Sequence, residues 1–473
     1  MNQPNILLIL CDDLGARDLA CFGSTFYETP ALDRLAADGM RFSRAYASCP
    51  VCSPTRASLM TGRNPARVGV TQFIGGRGGG RLQDVPYIHE LPLEETSIAR
   101  ALGAQGYQTW HVGKWHLGGR EYWPDRHGFD FTIGADVAVT STGYFSPYRS
   151  STISDGPEGE YITDRITDEA IALLRRRDAG RPFFLYLAHF APHVPIEAPE
   201  ALVAKYRAKA KAMRLDQVEA LVPGEPFPIL AKKDWRLQRR VLQSDPVYAA
   251  MIENLDANVG RLLTALDDEG LAGNTLVVFT SDNGGLSTAE GAPTCNYPFS
   301  EGKGWTYEGG TRVCQIVRWP GVVTPRTACN APVTSPDLYP TFLQACGADL
   351  MPDQHADGVS LLPLLRGGDT LDRRGLFWHY PHYSNQGGTP AAAVVDGPWK
   401  LIQFFEDNHI ELYHLDTDVS EQHDLAGARP DIARRLHGML AAWQKEVEAL
   451  IPQPDPDYEA KAARPCEHTP KFI

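Results

Sequence analysis

Apolar residues follow two rhythms along this chain. Continuous runs such as Asn5-Ile6-Leu7-Leu8-Ile9-Leu10-Cys11, Pro182-Phe183-Phe184-Leu185-Tyr186-Leu187 and Asn274-Thr275-Leu276-Val277-Val278-Phe279-Thr280 have the character of strands buried on both faces. Shorter strand-like runs cover 42–47, 108–112 and 313–319. Between them the apolar positions recur at helical spacing. In 247–269, for example, Ile252, Leu255, Val259, Leu262, Leu263 and Leu266 make one stripe. Helices are also expected over 30–38, 94–105, 163–177, 198–213 and 335–346, whereas 214–246 reads as irregular. Alternation of this kind predicts an α/β fold, a large mostly parallel sheet covered by helices on both sides. From about residue 376 the pattern changes to short antiparallel strands at 392–395, 399–405 and 410–414. A helix over 430–449 follows, with Ile432, Leu436, Leu440 and Trp443 on one face, and the tail after Pro452 shows no clear element. The expected division is an α/β domain over 1–374 and a smaller C-terminal α+β domain over 375–473.

Composition narrows the class. The chain has 473 residues, 43% hydrophobic and 22% charged, as in ordinary globular proteins. A net charge of −13 argues against a nucleic-acid partner but leaves room for a local cationic pocket. No segment reaches the roughly 20 apolar residues that span a bilayer, so no membrane partner is expected. Nine cysteines without regular spacing make neither a disulfide framework nor a zinc ribbon. With no signal peptide visible, a cytoplasmic location is the expectation. A homo-oligomer is compatible with all of this.

Candidate chemistry clusters just past the strand ends, where open α/β sheets place their sites. Asp12-Asp13, Lys114 with His116, His193 between Pro192 and Pro195, and Asp282-Asn283 all sit there, followed by Lys303. Asp12, Asp13, Asp282 and Asn283 offer only oxygen, which suits a hard cation such as Ca²⁺ or Mg²⁺ better than zinc. Each cluster taken alone also reads as capping, solvated or structural. The segment Pro50-Val51-Cys52-Ser53-Pro54-Thr55-Arg56-Ala57-Ser58-Leu59-Met60-Thr61-Gly62 reads as a short helix with Cys52 at its N-terminal lip and Arg56 four residues on, on the same face. Spacing alone favours a buried cysteine packed at a helix start with Arg56 as a surface charge, and a thiol is a poor partner for a hard metal.

That segment resembles the Cys-x-Pro-x-Arg signature of the type I, formylglycine-dependent sulfatases of the alkaline phosphatase superfamily. Gly106-Tyr107-Gln108-Thr109-Trp110-His111-Val112-Gly113-Lys114-Trp115-His116-Leu117-Gly118 is similar to that family's second signature. The resemblance implies an alkaline-phosphatase-like fold and a sulfuric ester hydrolase of the arylsulfatase kind. It implies that a formylglycine-generating enzyme oxidises Cys52 to formylglycine, and that residue 52, Asp12, Asp13, Asp282 and Asn283 hold Ca²⁺, ahead of Mg²⁺ or Mn²⁺. A hydrate oxygen of residue 52 would attack sulfur, with Asp282 helping to take its proton. His193 and Lys303 would serve the departing alcohol, and His116 would release sulfate by deprotonating the second hydroxyl. Arg56 and Lys114 would hold the hydrate and the sulfate oxygens.

A phosphonate monoester or phosphodiester hydrolase of the same superfamily is the nearest rival. Such relatives carry His at the position of Asn283 and lack the pair Lys114 and His116, so both features favour sulfate. The substrate is expected to be a sulfated carbohydrate or an aryl sulfate. Pocket walls are expected from 71–90, 140–160, 287–300 and 379–390, with Arg77, Arg81, His379 and His382 as candidate specificity contacts.

Overall fold

The computed structural model describes residues 3–76 and 78–464. Its centre is a nine-stranded sheet made of β1 (Asn5–Cys11), β2 (Met40–Tyr46), β3 (Gln108–Gly113), β4 (Phe131–Ile133), β5 (Phe183–Ala188), β8 (Thr275–Ser281), β9 (Arg312–Arg318), β10 (Thr327–Cys329) and β11 (Val333–Thr334). The two strands between β5 and β8 in sequence, β6 (Leu221–Pro226) and β7 (Arg236–Arg240), form a separate hairpin. The large sheet runs β10-β2-β9-β8-β1-β5-β3-β4, with β11 also beside β2. β9 pairs antiparallel with β2 and β8, and every other pairing in this sheet is parallel.

The unbroken apolar runs are explained by burial on both faces. Leu7, Ile9 and Cys11 of β1 enter one core, and Ile6, Leu8 and Leu10 enter the other. β5 and β8 divide in the same way, with Leu185 and Phe279 on the first side and Tyr186 and Val278 on the second. Helices Pro30–Ala37, Ile162–Arg175, Glu200–Ala212 and Pro246–Asp268 cover the first face. Helices Cys52–Thr61, Ile98–Gly103 and Leu338–Cys346 contribute to the second. The long helix starts where Asp245 accepts hydrogen bonds from the Val247 and Tyr248 amides, just before Pro246.

The C-terminal part is a four-stranded antiparallel sheet, β12 (Leu376–Tyr380), β13 (Ala391–Asp396), β14 (Trp399–Phe404) and β15 (Ile410–His414), in that order. Helix Pro430–Glu446 lays Ala433, Leu436, Leu440 and Trp443 over one face, against Ala392, Val394, Leu401 and Leu412. On the other face Trp378, Ala393 and Ile402 pack with Tyr46 of β2. A fully buried ionic group ties the two sheets together: Lys400 of β14 lies 3.0 Å from Glu308 and 2.8 Å from Glu421.

The elements depart from the sequence reading in places. Residues 214–246, expected to be irregular, contain the β6–β7 hairpin. Its prolines and charges hide it because only one residue of β6, Gly224, is buried, so it needs no apolar run. Strand β12 adds a fourth strand to the three expected in the C-terminal part. The helix expected over 94–105 starts only at Ile98, where the Ser97 side chain accepts from the Arg100 amide. The helix expected over 335–346 opens with a 3₁₀ turn at Ser335–Asp337, and a short helix, Tyr458–Ala462, occupies part of the tail. No helix among the described residues is long and apolar enough to cross a membrane.

Candidate active site

Strands ending at one edge of the sheet deliver polar residues to one place. β1 runs into Asp12 and Asp13, β3 into Lys114 and His116, β5 into the turn bearing His193, and β8 into Asp282 and Asn283. β2 leads into helix Cys52–Thr61. β9 runs the other way, so its beginning, not its end, lies at this edge, and Lys303 comes from the segment before it. The expected cluster therefore assembles, through a strand whose direction the sequence did not reveal.

Arg56 is the organising cation. It is fully buried, and its Nε donates to Asp282 Oδ2 at 2.9 Å while its Nη2 lies 2.7 Å from the same oxygen. Nη2 also lies 3.5 Å from Asp12 Oδ1, and Nη1 donates to the Lys114 carbonyl at 2.9 Å. The planar fork thus fixes two carboxylates and one strand end at once, which a lysine could not do. Lys114 Nζ donates to Asp12 Oδ2 at 2.5 Å, and Lys303 Nζ donates to Asp13 Oδ2 at 2.7 Å. Asn283 Nδ2 donates to Asp13 Oδ1 at 2.9 Å, and the Asp13 amide donates to Asp282 Oδ1 at 3.2 Å. To reach these partners Asp13 adopts φ +68°, a conformation that Asp tolerates better than most residues.

Two imidazoles flank the acids. His116 Nδ1 lies 3.3 Å from Cys52 Sγ, and its Nε2 lies 3.1 Å from the Ile74 carbonyl. A carbonyl can only accept, so Nε2 carries the proton and Nδ1 presents its lone pair to residue 52. Burial, reinforced by the Lys114 cation, lowers His116 to about 3, so the ring is neutral near pH 7. Two residues apart in a regular extended segment, Lys114 and His116 would share one side. The two instead reach different partners because His116 turns at φ +56°. His193 donates from Nδ1 to the Val194 carbonyl at 2.7 Å, leaving Nε2 at 3.7 Å from Asp13 Oδ2. Burial and then Lys303 lower its pKa as well.

Burial and the neighbouring Asp12 charge raise Asp282 well above the usual carboxylate range. Burial acts on Asp12 in the same sense, but Lys114, His193, Arg56 and Lys303 outweigh it and hold that carboxyl well below the range. The site thus packs three carboxylates into a dry space where their repulsion needs positive charge.

This donor set fits a hard divalent cation. Single ligand atoms of Asp12, Cys52 and Asp282 lie within 4.8 Å of one another, as do those of Asp12, Asp13 and His193. Asp12 Oδ1 and Asn283 Oδ1 are buried without a hydrogen-bond donor, as oxygens reserved for a cation would be.

Above these groups lies a cavity of about 770 Å³, lined by Cys52, Lys114, His116, His193 and Lys303 at its polar end. Phe73, Ile74, Val137, Val139, Phe190 and Ile196 supply apolar wall. All four wall segments expected from sequence contribute, through Phe73–Gly75, Thr140, Glu290–Pro293 and Asn385–Gln386. The stretches Ala135–Val139 and Val194–Ile196 and the residue Asp245 were not anticipated, since nothing in their composition marks them. The four proposed specificity contacts fare worse. His379 is buried and sits 3.0 Å from the Leu450 carbonyl, and His382 is buried 2.8 Å from Thr71 Oγ1, so both are packing residues outside the cavity. Arg81 is exposed and pairs with Tyr458. Arg77 lies outside the described residues.

Comparison with known proteins agrees with this geometry. The family model "Sulfatase" matches residues 4–348, and the model "N-sulphoglucosamine sulphohydrolase, C-terminal" matches 300–446. The chain is 31% identical over 523 residues to a sulfatase of Formosa agariphila, covering 93% of this chain and 88% of that protein. It is 31% identical to human arylsulfatase A, covering 95% and 89%, and 30% identical to human N-acetylgalactosamine-6-sulfatase, covering 95% and 86%. Among solved structures, that of Ps i-CgsB in complex with k-i-k-neocarrahexaose superposes with a TM-score of 0.76 at 27% identity, covering 97% of each chain.

Proposed function

Because the chain belongs to the sulfatase family, and is an enzyme that hydrolyses sulfate esters, we propose that it works through a formylglycine made from Cys52 and a divalent cation, Ca²⁺ ahead of Mg²⁺ or Mn²⁺. Asp12, Asp13, Asp282 and Asn283 would hold the cation, together with residue 52. The observation that carries this reading is the contact of Cys52 with His116 beside two buried oxygens, Asp12 Oδ1 and Asn283 Oδ1, that have no hydrogen-bond donor. When present, the two groups supply a nucleophile with a second hydroxyl for expelling sulfate, and positive charge against the sulfate oxygens.

The chain's own residues do the rest. His116, neutral and with Nδ1 facing residue 52, is the base that takes the proton on which sulfate release depends. Lys114, Lys303 and His193 line the polar end of the cavity, and the two ammonium groups donate to the sulfate oxygens there. Lys303 keeps its proton: burial would lower it, but Asp13 raises it, so an ammonium faces the departing alcohol. Arg56 holds Asp282 and Asp12 in register and excludes other conformations of both. The apolar wall keeps bulk water from the reacting centre.

A cavity this large suits a sulfated carbohydrate better than a small aryl sulfate, in keeping with the oligosaccharide in the Ps i-CgsB complex and with the sugar named for the human relative. Asn283 and the pair Lys114 and His116 support sulfate over phosphonate or phosphodiester substrates. Mass spectrometry of the Cys52 peptide, from protein co-expressed with a formylglycine-generating enzyme, tests the mechanism. Activity towards sulfate esters from protein in which that residue is wholly an unmodified thiol would overturn it.

A further inference from the structure

Three carboxylates line the cavity beyond the catalytic acids: Asp136, Asp245 and Glu290. Two of them are already consumed. Asp136 accepts from the hydroxyls of Ser150, Ser151 and Thr152 and from the Ser151 amide. Asp245 caps its helix through two amides and faces Arg240 at 3.6 Å. Glu290 is different. Its two oxygens share one donor, the Gln386 amide nitrogen, at 3.1 Å each. A carboxylate has about four acceptor positions, so most of its capacity is unspent.

The chain holds Glu290 firmly in this place. Gln386 is buried and lines the same cavity. Its side-chain oxygen accepts from Ser384 at 2.7 Å, and its carbonyl accepts from Trp305 Nε1 at 2.9 Å and from Thr288 at 2.7 Å. Glu290, Gly291 and Ala292 adopt φ values of +54°, +85° and +41°, an uncommon run in which two residues are not glycine. Strand β7 braces the turn, because Arg240 donates from Nε to the Ala292 carbonyl and from its amide to the Ser287 carbonyl. The Glu290 charge also reaches Lys303 at the polar end of the cavity.

Resting on the sulfatase reading above, we propose that Glu290, clamped by Gln386, is a specificity-determining residue that accepts hydroxyl donors from the sugar part of the ester and repels a second anionic group there. The substrate class is then a sugar carrying a single sulfate near this wall. A neighbouring sulfate or carboxylate on the same ring would have to desolvate against a fixed like charge.

The test compares the matured enzyme with its Glu290→Gln and Glu290→Ala variants on three esters: a neutral sugar monosulfate, the same sugar with a second sulfate, and p-nitrophenyl sulfate. For the wild type, kcat/KM is expected to favour the monosulfate over the disulfate by at least about tenfold, and raising the salt concentration is expected to narrow that gap. In Glu290→Gln that preference falls to within about threefold. In Glu290→Ala the ratio of sugar monosulfate to aryl sulfate kcat/KM falls about tenfold, through KM more than kcat. Equal effects on all three esters, or none, would overturn the assignment while leaving the sulfatase reading intact. A matured wild-type enzyme that turns over none of the esters would instead remove the reading on which the assignment rests.

Discussion

The Nδ1 atom of His116 faces the sulfur of Cys52 at 3.3 Å, and the ring is locked there by its hydrogen bond to the Ile74 carbonyl. Its only open nitrogen is therefore aimed at residue 52, the group from which the proposed mechanism has it take a proton. His116→Ala should lower kcat about 100- to 10,000-fold with a much smaller change in KM. Steady-state kinetics on a sulfated sugar checks this, and a loss below about tenfold would show that another group is the base.

Removal of the cation should cost both activity and stability. Asp12, Asp13 and Asp282 are almost completely buried together, so a chelator leaves like charges facing each other. Treatment with a chelator is expected to abolish turnover and lower the melting temperature, with Ca²⁺ restoring both. At about 100 times its Kd the ion should add about 2.7 kcal/mol. Thermal melts indistinguishable with chelator and with Ca²⁺ would show that these oxygens bind no ion.

Arg56→Lys should behave as a severe change although it keeps the charge. The guanidinium serves Asp282, Asp12 and the Lys114 carbonyl at once, and a lysine leaves some of those buried acceptors without donors. A loss of about 3–5 kcal/mol in urea unfolding is expected. It should persist in chelator, because the contacts are within the protein. A variant as stable as the parent would mean that the fork is dispensable.

Acid should destabilise the fold through buried histidines that take no part in the proposed chemistry. Burial lowers His189 and His111 to about 3. Both are neutral when folded, whereas an unfolded histidine takes up a proton below about pH 6.5. The unfolded state thus binds more protons between pH 6.5 and 3, and stability falls as pH falls through that window, by up to about 1.4 kcal/mol per unit for each ring. His189→Phe should flatten this slope by about one proton. Unfolding free energies measured at several pH values decide it, and an unchanged slope would refute the assignment.

The sequence carried much of this site because its chemistry sits at strand ends, and strands buried on both faces announce themselves. Asp12, Lys114, His193 and Asp282 could all be placed beside β1, β3, β5 and β8 before any geometry was known. Lys303 could not be placed in this way, since apolar pattern does not encode strand direction and β9 runs opposite to its neighbours. The specificity wall was hardest to read. His379 and His382 have the same letters as catalytic histidines and differ only in being packed against Phe405 and Tyr380. Glu290 carries no local mark, because its value comes from a donor 96 residues away.

The register of β1 against β8 also has a consequence in time. The Asp13 amide meets the Asp282 carboxylate across 269 positions of sequence. At roughly 5–20 residues per second of synthesis, that separation amounts to roughly 15–50 seconds during which the N-terminal acids have no C-terminal counterpart. Through that interval Cys52 belongs to an open chain. Once β8 docks beside β1 and Lys303 arrives, the thiol is only 2% exposed. Strand order therefore sets an interval in which residue 52 stands open before the fold closes over it.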